Sequence, residues 1–390
     1  MTPAARIQTA IEILDAVIAA ARGQGASADR IVAEWFKSRR YMGSGDRRAV
    51  RELVYGAIRV CGEIPLSGRA AMLRLGQDDA VILSLFDGSP HAPEPILPDE
   101  PVAADGIAPR WLEAKLAESG IEGEAAAALL GRAPLDVRVN RLKGEPGELP
   151  LAGEPTSAPD ALRFPAGTPV EQWEAFTSGT IEVQDTGSQL CCLAVGARPG
   201  ETVLDLCAGA GGKTLALAAA MDNRGRLIAA DTDRGRLSRL PPRALRAGAI
   251  TIETRLLNPG RELDALADLA AKCDAVLVDA PCSGTGTWRR NPEARWRLTG
   301  AELARLTALQ ARLLDLAASL VKPGGRLVYV TCSLLDAEGA DQAEAFLQRH
   351  PAWSARIPEL PAGTARGHGL RLTPAHDATD GFFIARFDSP

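Results

Sequence analysis

Two cysteines in polar loops are the most chemically informative feature of this sequence. Cys282 lies in Asp279–Gly286 (DAPCSGTG) and Cys332 lies in Thr331–Ser333, and each segment follows an apolar stretch. Such stretches are typical of buried strands in a parallel sheet, whose carboxyl ends share one edge. A thiolate at that edge is a nucleophile suited to a pyrimidine ring. A lone cysteine there is more often a buried filler, but two together favour a reactive role.

A glycine-rich turn follows a third apolar stretch. Leu204–Thr214 (LDLCAGAGGKT) places three glycines between a short strand and the helical run Leu215–Met221. This arrangement brings free backbone N–H groups and the positive end of a helix close to a ligand. We therefore expect a cofactor to contact Cys207, Ala208, Gly209, Ala210, Gly211, Gly212 and Lys213.

The turn alone leaves the identity of its ligand open. In a dinucleotide fingerprint the third glycine would stand at Thr214, and in a phosphate loop the first glycine would stand at Cys207. A third interpretation is a site for S-adenosylmethionine (SAM), in which the loop surrounds the amino-acid end of the cofactor. The remaining alternative is a turn that binds no ligand.

Asp231 favours a ligand that contains a nucleoside. It ends the predicted strand Leu227–Asp231, where an acid accepts hydrogen bonds from both ribose hydroxyls. Its alternative role is to cap the helix that begins near Arg234, but Asp233 is better placed for that role.

The elements that position these residues predict an α/β fold. Strands alternate with helices from Ile181 onward, which is typical of a Rossmann-like, doubly wound sheet. Pro241 and Pro242 should break one helix locally, and Gly381–Phe387 predicts a late strand that enters the sheet antiparallel. We predict strands at residues 203–207, 226–231, 251–257, 275–280 and 326–331, and helices at residues 234–247 and 301–321.

The chain is long enough for two or three domains. Helical periodicity, proline clustering and the α/β pattern divide it into four parts. These are an all-helical domain at residues 1–86, a Pro-rich linker at 87–106, a small α+β accessory unit at 107–180 and an α/β domain at 181–390.

Two arginine-rich segments predict contacts with nucleic acid, although the net charge of −5 argues weakly against them. Residues 37–59 carry seven cations against two acids, so a solvated helix face competes with an RNA contact at Arg39, Arg40, Arg47 and Arg48. The segment after Cys282 predicts base stacking by its two tryptophans and phosphate contacts at Arg289 and Arg290. The alternative for this second segment is a packed loop with snorkelling arginines.

Composition narrows the class of protein. The chain has no apolar run of 18 residues and no visible secretory signal. Its seven cysteines are odd in number and lack the spacing of a zinc site. We therefore expect a cytoplasmic protein with free thiols and with no membrane or metal partner.

Together these motifs resemble the RsmB/Nop/Sun family of RNA cytosine-C5 methyltransferases. Leu204–Thr214 matches its SAM motif, and Asp279–Cys282 and Thr331–Ser333 match its two cysteine motifs. Gln184–Gln189 resembles its entry segment, and Asp380–Phe383 resembles its closing strand. The first domain also resembles a NusB-like helical domain, which indicates the bacterial ribosomal-RNA branch.

The resemblance implies a mechanism and a substrate. Cys332 would add to C6 of a cytosine, Asp279 would hydrogen-bond its N3 edge and contact the cofactor, and Cys282 would aid release. Position alone leaves the nucleophile open, because both cysteines end adjacent strands at the same edge. DNA cytosine methyltransferases attack from a Pro-Cys, which would favour Cys282 instead. The target base must leave any stack to enter the pocket. The implied cofactor is SAM and the implied partner is RNA, namely small-subunit (16S) ribosomal RNA, with transfer RNA as an alternative.

Two departures from the family pattern concern the cofactor. Ala210 replaces the usual proline of the SAM motif, and Asn258 stands where an aspartate commonly lies near the adenine. Two other functions also compete with methylation. One is an NTPase with a degenerate phosphate loop, and the other is a non-catalytic ribosome-assembly factor, which would need neither Cys282 nor Cys332.

Overall fold

The computed structural model describes residues 1–23 and 25–390, which form two compact units. One comprises Met1–Gly131 and Thr287–Thr299, and the other comprises Arg132–Gly286 and Gly300–Pro390. This division differs from the predicted boundaries at residues 86, 106 and 180. The first two helices of the expected accessory unit lie in the first unit, and its strands and its last short helix lie in the second. Within the described ranges, no helix is long and apolar enough to cross a membrane.

The first unit is built from helices. Thr2 caps the first of them by accepting a hydrogen bond from the N–H of Ala5. Residues 87–109 contain no helix or strand, but they lie against the helices, since Arg69 donates to the carbonyl oxygens of Glu94 and Pro95. The helices are α1 (Pro3–Arg22), α2 (Ala28–Ser38), α3 (Ser44–Val60), α4 (Gly68–Asp78), α5 (Ala80–Ser84), α6 (Arg110–Glu118) and α7 (Gly123–Ala127).

Thr287–Thr299 completes the core of this first unit. Its short 3₁₀ helix, Pro292–Trp296, buries Trp296 in the hydrophobic core of the helical unit, and Trp288 is buried as well. The carboxylate of Glu293 accepts a hydrogen bond from the N–H of Ala28 at 2.9 Å, at the start of α2. Both tryptophans are therefore packed inside the unit, which favours the packed-loop interpretation of this segment over base stacking.

The second unit contains a small antiparallel sheet. Its strands run in the order β2-β3-β1-β4, and Val137, Phe164, Trp173 and Ile181 pack on it as a core. The ring of Trp173 meets the ring of Phe164 edge-on at 5.1 Å between centroids. The strands are β1 (Leu135–Val139), β2 (Glu154–Pro155), β3 (Ala161–Phe164) and β4 (Ile181–Val183).

A larger, mostly parallel sheet dominates the second unit and confirms the predicted fold class. Five parallel strands run in the order β7-β6-β5-β8-β9. The predicted late strand, β13, lies antiparallel beside β9, with Phe383 opposite Thr331. The strands are β5 (Thr202–Asp205), β6 (Arg226–Asp231), β7 (Ile252–Leu256), β8 (Cys273–Asp279), β9 (Val321–Thr331), β10 (Ser354–Arg356), β11 (Thr364–Arg366), β12 (Gly369–Leu372) and β13 (Phe382–Asp388).

Helices cover both faces of the large sheet. Successive strand residues alternate between two cores, so Val203 packs on one face and Leu204 on the other. As predicted, the helix after β6 is broken, and its second part begins with Pro241 and Pro242 in its first turn. The helices of this unit are α8 (Glu174–Thr177), α9 (Thr186–Val195), α10 (Gly212–Ala220), α11 (Arg234–Leu237), α12 (Leu240–Ala247), α13 (Glu262–Leu266), α14 (Gly300–Leu320), α15 (Ala340–Arg349) and α16 (Pro374–Asp377).

Candidate active site

The strand order of the large sheet reverses beside β5, which pairs with β6 on one side and with β8 on the other. Ligands of open α/β sheets bind outside the carboxyl ends of the strands at such a reversal. A cavity of about 620 Å³ opens there, a volume within the usual range for small-molecule sites. Its lining brings together predicted residues from four separate segments: Cys207, Asp231, Asp279, Cys282 and Cys332.

The glycine turn has a backbone that other residues would strain. Gly209 and Gly211 have φ of +56° and +86°, in the left-handed region that glycine tolerates best. A Cβ on Gly209 would lie 2.5 Å from Nη2 of Arg236, and one on Gly211 would lie 2.2 Å from Cδ1 of Leu240. The following helix, α10, begins at Gly212. The turn is therefore tightly packed from behind.

Asp231 ties the turn to the neighbouring strand. Its Oδ2 accepts a hydrogen bond from the N–H of Gly209 at 2.7 Å, and its Oδ1 accepts one from the N–H of Asp233 at 2.7 Å. Asp233 caps α11, as predicted, through the N–H of Arg236. Each carboxylate oxygen of Asp231 keeps a second lone pair, so the side chain can still accept from ribose hydroxyls.

Asp205 is a fully buried carboxyl group at the end of β5. Its Oδ2 accepts a hydrogen bond from Oγ1 of Thr214 at 2.7 Å, while its Oδ1 has no partner among the described residues. Burial raises the pKa of Asp205 to about 7. The carboxyl group that precedes the glycine turn is therefore partly protonated near pH 7, and its Oδ1 can receive a polar group.

Lys213 and Asp279 form an ion pair that links the turn to β8. Nζ of Lys213 lies 2.7 Å from Oδ2 of Asp279. Burial is the largest single effect and acts to lower the pKa of Lys213, but the charge and hydrogen bond of Asp279, together with Cys191 and Cys192, outweigh it and raise the pKa above its usual value. Lys213 was predicted as a cofactor residue, and in the structure its ammonium group pairs with the carboxylate of Asp279.

The two cysteines from separate segments lie side by side at the cavity. The sulfur atoms of Cys282 and Cys332 are 3.4 Å apart, although 50 residues separate them in the chain. The hydrogen bond to Cys332, followed by burial, raises the pKa of the Cys282 thiol well above its ordinary value. Cys282 is therefore held as a protonated thiol next to Cys332.

Hydroxyl groups join the two cysteine loops. The hydroxyl of Ser333 lies 3.1 Å from those of Ser283 and Thr285, and the N–H of Gly286 donates to the carbonyl oxygen of Cys332 at 2.9 Å. These contacts fix the positions of the two loops relative to each other, and they thereby fix the distance between the two sulfur atoms.

Glu338 holds the Cys282 loop in place. It was not predicted from the sequence. This buried carboxylate accepts hydrogen bonds from the N–H of Ser283 at 2.9 Å and from Nε2 of Gln310 at 3.0 Å, and it also contacts the hydroxyl of Ser283. The only sequence signal is an acid six residues after Cys332, which nothing local distinguishes from a solvated one.

Four further charged side chains line the cavity and were also missed, namely Arg236, Glu262, Arg305 and Arg312. Arg236 stands beside the glycine turn, and Glu262 pairs with Arg312 through two contacts of 2.8 Å. That pairing lowers the pKa of Glu262 to about 2. Each of these residues lies on a helix whose position beside the cavity was not predicted from the sequence.

Some predicted residues do not join the cavity. Asn258 is exposed, while its neighbours Leu257 and Pro259 line the cavity. Arg289 is only 7% exposed and Arg290 is half-buried, both in the first unit. Their contact with RNA remains a prediction.

Comparison with known proteins identifies the family. The family model described as 16S rRNA methyltransferase RsmB/F matches residues 192–388. This chain belongs to that family. A probable ribosomal RNA small subunit methyltransferase B from Synechocystis is 36% identical over 282 residues, which cover 68% of this chain and 62% of that protein. The chain thus spans about three fifths of the curated relatives that it matches.

Two solved structures support the fold assignment. The crystal structure of PH0851 matches 100% of this chain and 99% of its own, with a TM-score of 0.78 and 26% identity. A methyltransferase homolog protein from Pyrococcus horikoshii matches 72% of this chain and 100% of its own, with a TM-score of 0.60 and 26% identity.

Membership of the RsmB/F family makes SAM the cofactor, and the residues present fit it. The glycine turn begins beside Cys207, which lines the cavity and would meet the amino-acid end of SAM, and Asp231 offers acceptors to its ribose. The unpaired Oδ1 of Asp205 is a buried acceptor at the base of the turn. The family assignment excludes the phosphate-loop NTPase and dinucleotide interpretations of this turn.

An Asp231→Ala variant is expected to bind SAM more weakly by about 1.5–3 kcal/mol, the cost of unpairing charge-assisted hydrogen bonds. The variant loses the ribose acceptors and also the contact that holds Gly209. Isothermal titration calorimetry with SAM measures the change. Asp231→Asn is the matched control, because it keeps one acceptor oxygen and should lose less. An unchanged affinity in the alanine variant would remove the ribose assignment.

Proposed function

We propose that this protein transfers a methyl group from SAM to C5 of a cytosine in RNA, with small-subunit ribosomal RNA as its substrate. The observation that carries the proposal is the pair of sulfur atoms 3.4 Å apart in the lining of the cofactor cavity. A protein that only binds RNA has no use for two apposed thiols. The ribosomal substrate is supported by the descriptions of the matching family and relatives.

Cys332 is the proposed nucleophile. Cytosine C5 is too weak a nucleophile to accept a methyl group unaided. Addition of the Cys332 thiolate to C6 forms a sulfur–carbon bond and turns C5 into an enamine-like carbon. Bound SAM supplies the electrophilic methyl group to that carbon. The family resemblance assigns the attack to Cys332 and the release step to Cys282, and the contact between the two sulfur atoms places both at the same base.

Asp279 and Cys282 would handle the charge and the proton. Asp279 lines the same cavity and is paired with Lys213, so it is placed to hydrogen-bond the N3 edge of the base as charge develops on the ring. Once C5 is methylated, its proton must leave so that the electron pair can reform the ring double bond and expel Cys332. Cys282, in contact with Cys332, would aid this release: its thiol gives a proton to the departing Cys332 sulfur, and the Cys282 thiolate that results takes the proton from C5.

Methylation of defined RNAs tests the proposal. The protein is incubated with SAM and unmodified small-subunit ribosomal RNA, and the digested nucleosides are analysed by mass spectrometry. The expected product is 5-methylcytidine, and a Cys332→Ala variant is the control. Methylation of another atom or base would contradict the proposed chemistry. Unmodified transfer RNA forms a second arm, and 5-methylcytidine in that arm alone would replace the ribosomal substrate.

The first unit carries the proposed RNA-binding face. Arg40 and Arg48 are exposed, whereas Arg39 stacks on the ring of Trp35 with its guanidinium carbon 3.7 Å from the centroid. The acid Asp46 is engaged by Arg6 at 2.8 Å and by the N-terminal amine at 3.3 Å, so it offsets little of the positive charge nearby. This distribution favours a phosphate contact over a plain solvated face.

Neutralising Arg40 and Arg48 to glutamine is expected to weaken RNA binding and to reduce the salt slope by about 0.7–0.9 for each phosphate that is no longer neutralised. SAM affinity should not change. Filter binding at several salt concentrations gives the slope. The matched control neutralises Arg224 and Arg261, two exposed arginines of the second unit. An equal reduction of the salt slope in both variants would show that Arg40 and Arg48 contribute only a general charge effect and not a specific phosphate contact.

A further inference from the structure

One helical face holds the cofactor turn from behind. Arg236, Leu240 and Arg243 recur at intervals of four and three residues, which places them on the same side of a helix. The two residues between α11 and α12 also have right-handed helical backbone, so the face is continuous across the break. Arg236 and Leu240 fill the space behind the two glycines, and Nη1 of Arg243 donates to the carbonyl oxygen of Ala210 at 2.7 Å.

The small antiparallel sheet orients the side chain of Arg243 toward the glycine turn. Glu182, in β4, is only 2% exposed, and its Oε2 lies 3.1 Å from Nη2 of Arg243. Its other oxygen contacts Arg246. A buried carboxylate with a guanidinium partner holds that partner in one orientation, because both nitrogens of the planar group are then used. One nitrogen of Arg243 binds the sheet and the other binds the cofactor turn.

Ala210 is the part of the turn that needs such support. It lies between Gly209 and Gly211, which have the freest backbones of any residue type. A proline at position 210, as the family resemblance leads one to expect, would restrict φ covalently, whereas alanine leaves it free. Among the described residues, the N–H of Ala210 donates no hydrogen bond, so only its carbonyl is held.

We propose that Arg243 is a positioning residue for SAM binding in this protein. Glu182 orients its guanidinium, and the hydrogen bond to the Ala210 carbonyl keeps the turn in the conformation that receives the cofactor. The contact replaces the restriction that proline would supply. This gives the small antiparallel sheet a role in cofactor binding, and the inference rests on the SAM site without depending on which base is methylated.

An Arg243→Met variant of the full-length chain tests the proposal. We expect its dissociation constant for SAM to rise about tenfold, the effect of losing one charge-assisted hydrogen bond. The KM for SAM should rise in parallel, while kcat at saturating SAM stays within about twofold. Arg246→Met is the matched control, because Arg246 shares Glu182 but packs on the ring of Phe176 instead of the turn. Its SAM affinity should change less than about twofold.

Ala210→Pro in the Arg243→Met background distinguishes positioning from a general loss of stability. Because proline restricts the same backbone position, it should restore most of the lost SAM affinity. Thermal unfolding of each variant verifies that it is folded. Unchanged SAM affinity in Arg243→Met, an equal loss in Arg246→Met, or no recovery with Ala210→Pro would each overturn the proposal. These affinities can be measured whether or not the product is 5-methylcytidine, so the two proposals fail independently.

Discussion

A Cys332→Ala variant is expected to form neither a covalent RNA complex nor methylated product, with turnover reduced at least about 1,000-fold. A Cys282→Ala variant is expected to behave oppositely and to accumulate a protein–RNA complex that survives denaturant. The reason is that the two thiols, 3.4 Å apart, would act on the same base at different steps. Removing the nucleophile prevents attachment, whereas removing its neighbour slows release. A denaturing gel with labelled RNA and SAM separates the two outcomes.

A third cysteine, which lies away from the cavity, provides the control for these two variants. Cys273→Ala removes a buried thiol from the opposite end of β8 and should leave both activity and gel pattern unchanged. Mass spectrometry of the trapped peptide then locates the sulfur attached to the ring. If the complex accumulates in the Cys332 variant, with the ring on Cys282, the proposed order of the two thiols is reversed.

An Arg295→Met variant is expected to lower the free energy of unfolding by about 3 kcal/mol, since it removes a buried, charged donor that several carbonyl oxygens share. Arg295 is fully buried in the first unit, and burial lowers its pKa to about 10. Its Nη2 donates to the carbonyl oxygens of Ile58 and Cys61 at 2.7 and 2.9 Å, where α3 ends. The positive charge also suits the negative end of that helix. Urea denaturation followed by tryptophan fluorescence measures the loss.

Arg297→Met provides the comparison for Arg295. Arg297 also donates to carbonyl oxygens, those of Ala20, Gly25 and Ala26, but it is half-buried, so water can replace its contacts. We expect a loss of about 1 kcal/mol or less for this variant. Equal losses for the two arginines would mean that burial does not set the cost. No loss in the Arg295 variant would show that the carbonyls find other partners.

The sequence by itself determined the large sheet of the second unit and the place of its site. Short apolar strands, each followed by glycine or polar residues, have one stable arrangement as a parallel sheet, and its carboxyl ends must share an edge. For that reason Cys282 and Cys332 could be expected to lie together, and the cavity lining bears out their common location with Asp231 and Asp279. Prolines at 241 and 242 likewise act locally, so the helix break could be predicted.

Only the tertiary structure decided which polar residues are buried, and against what. The arginines and tryptophans after Cys282 have the composition of an RNA-binding surface, yet Trp288, Arg295 and Trp296 lie inside the first unit. A count of charges carries no information about carbonyl acceptors that lie over 200 residues away in the chain. The partners of Glu338 and Arg243 were invisible for the same reason. Their roles arise from contacts between distant segments, whereas strand pattern, glycine turns and proline breaks are properties of neighbouring residues.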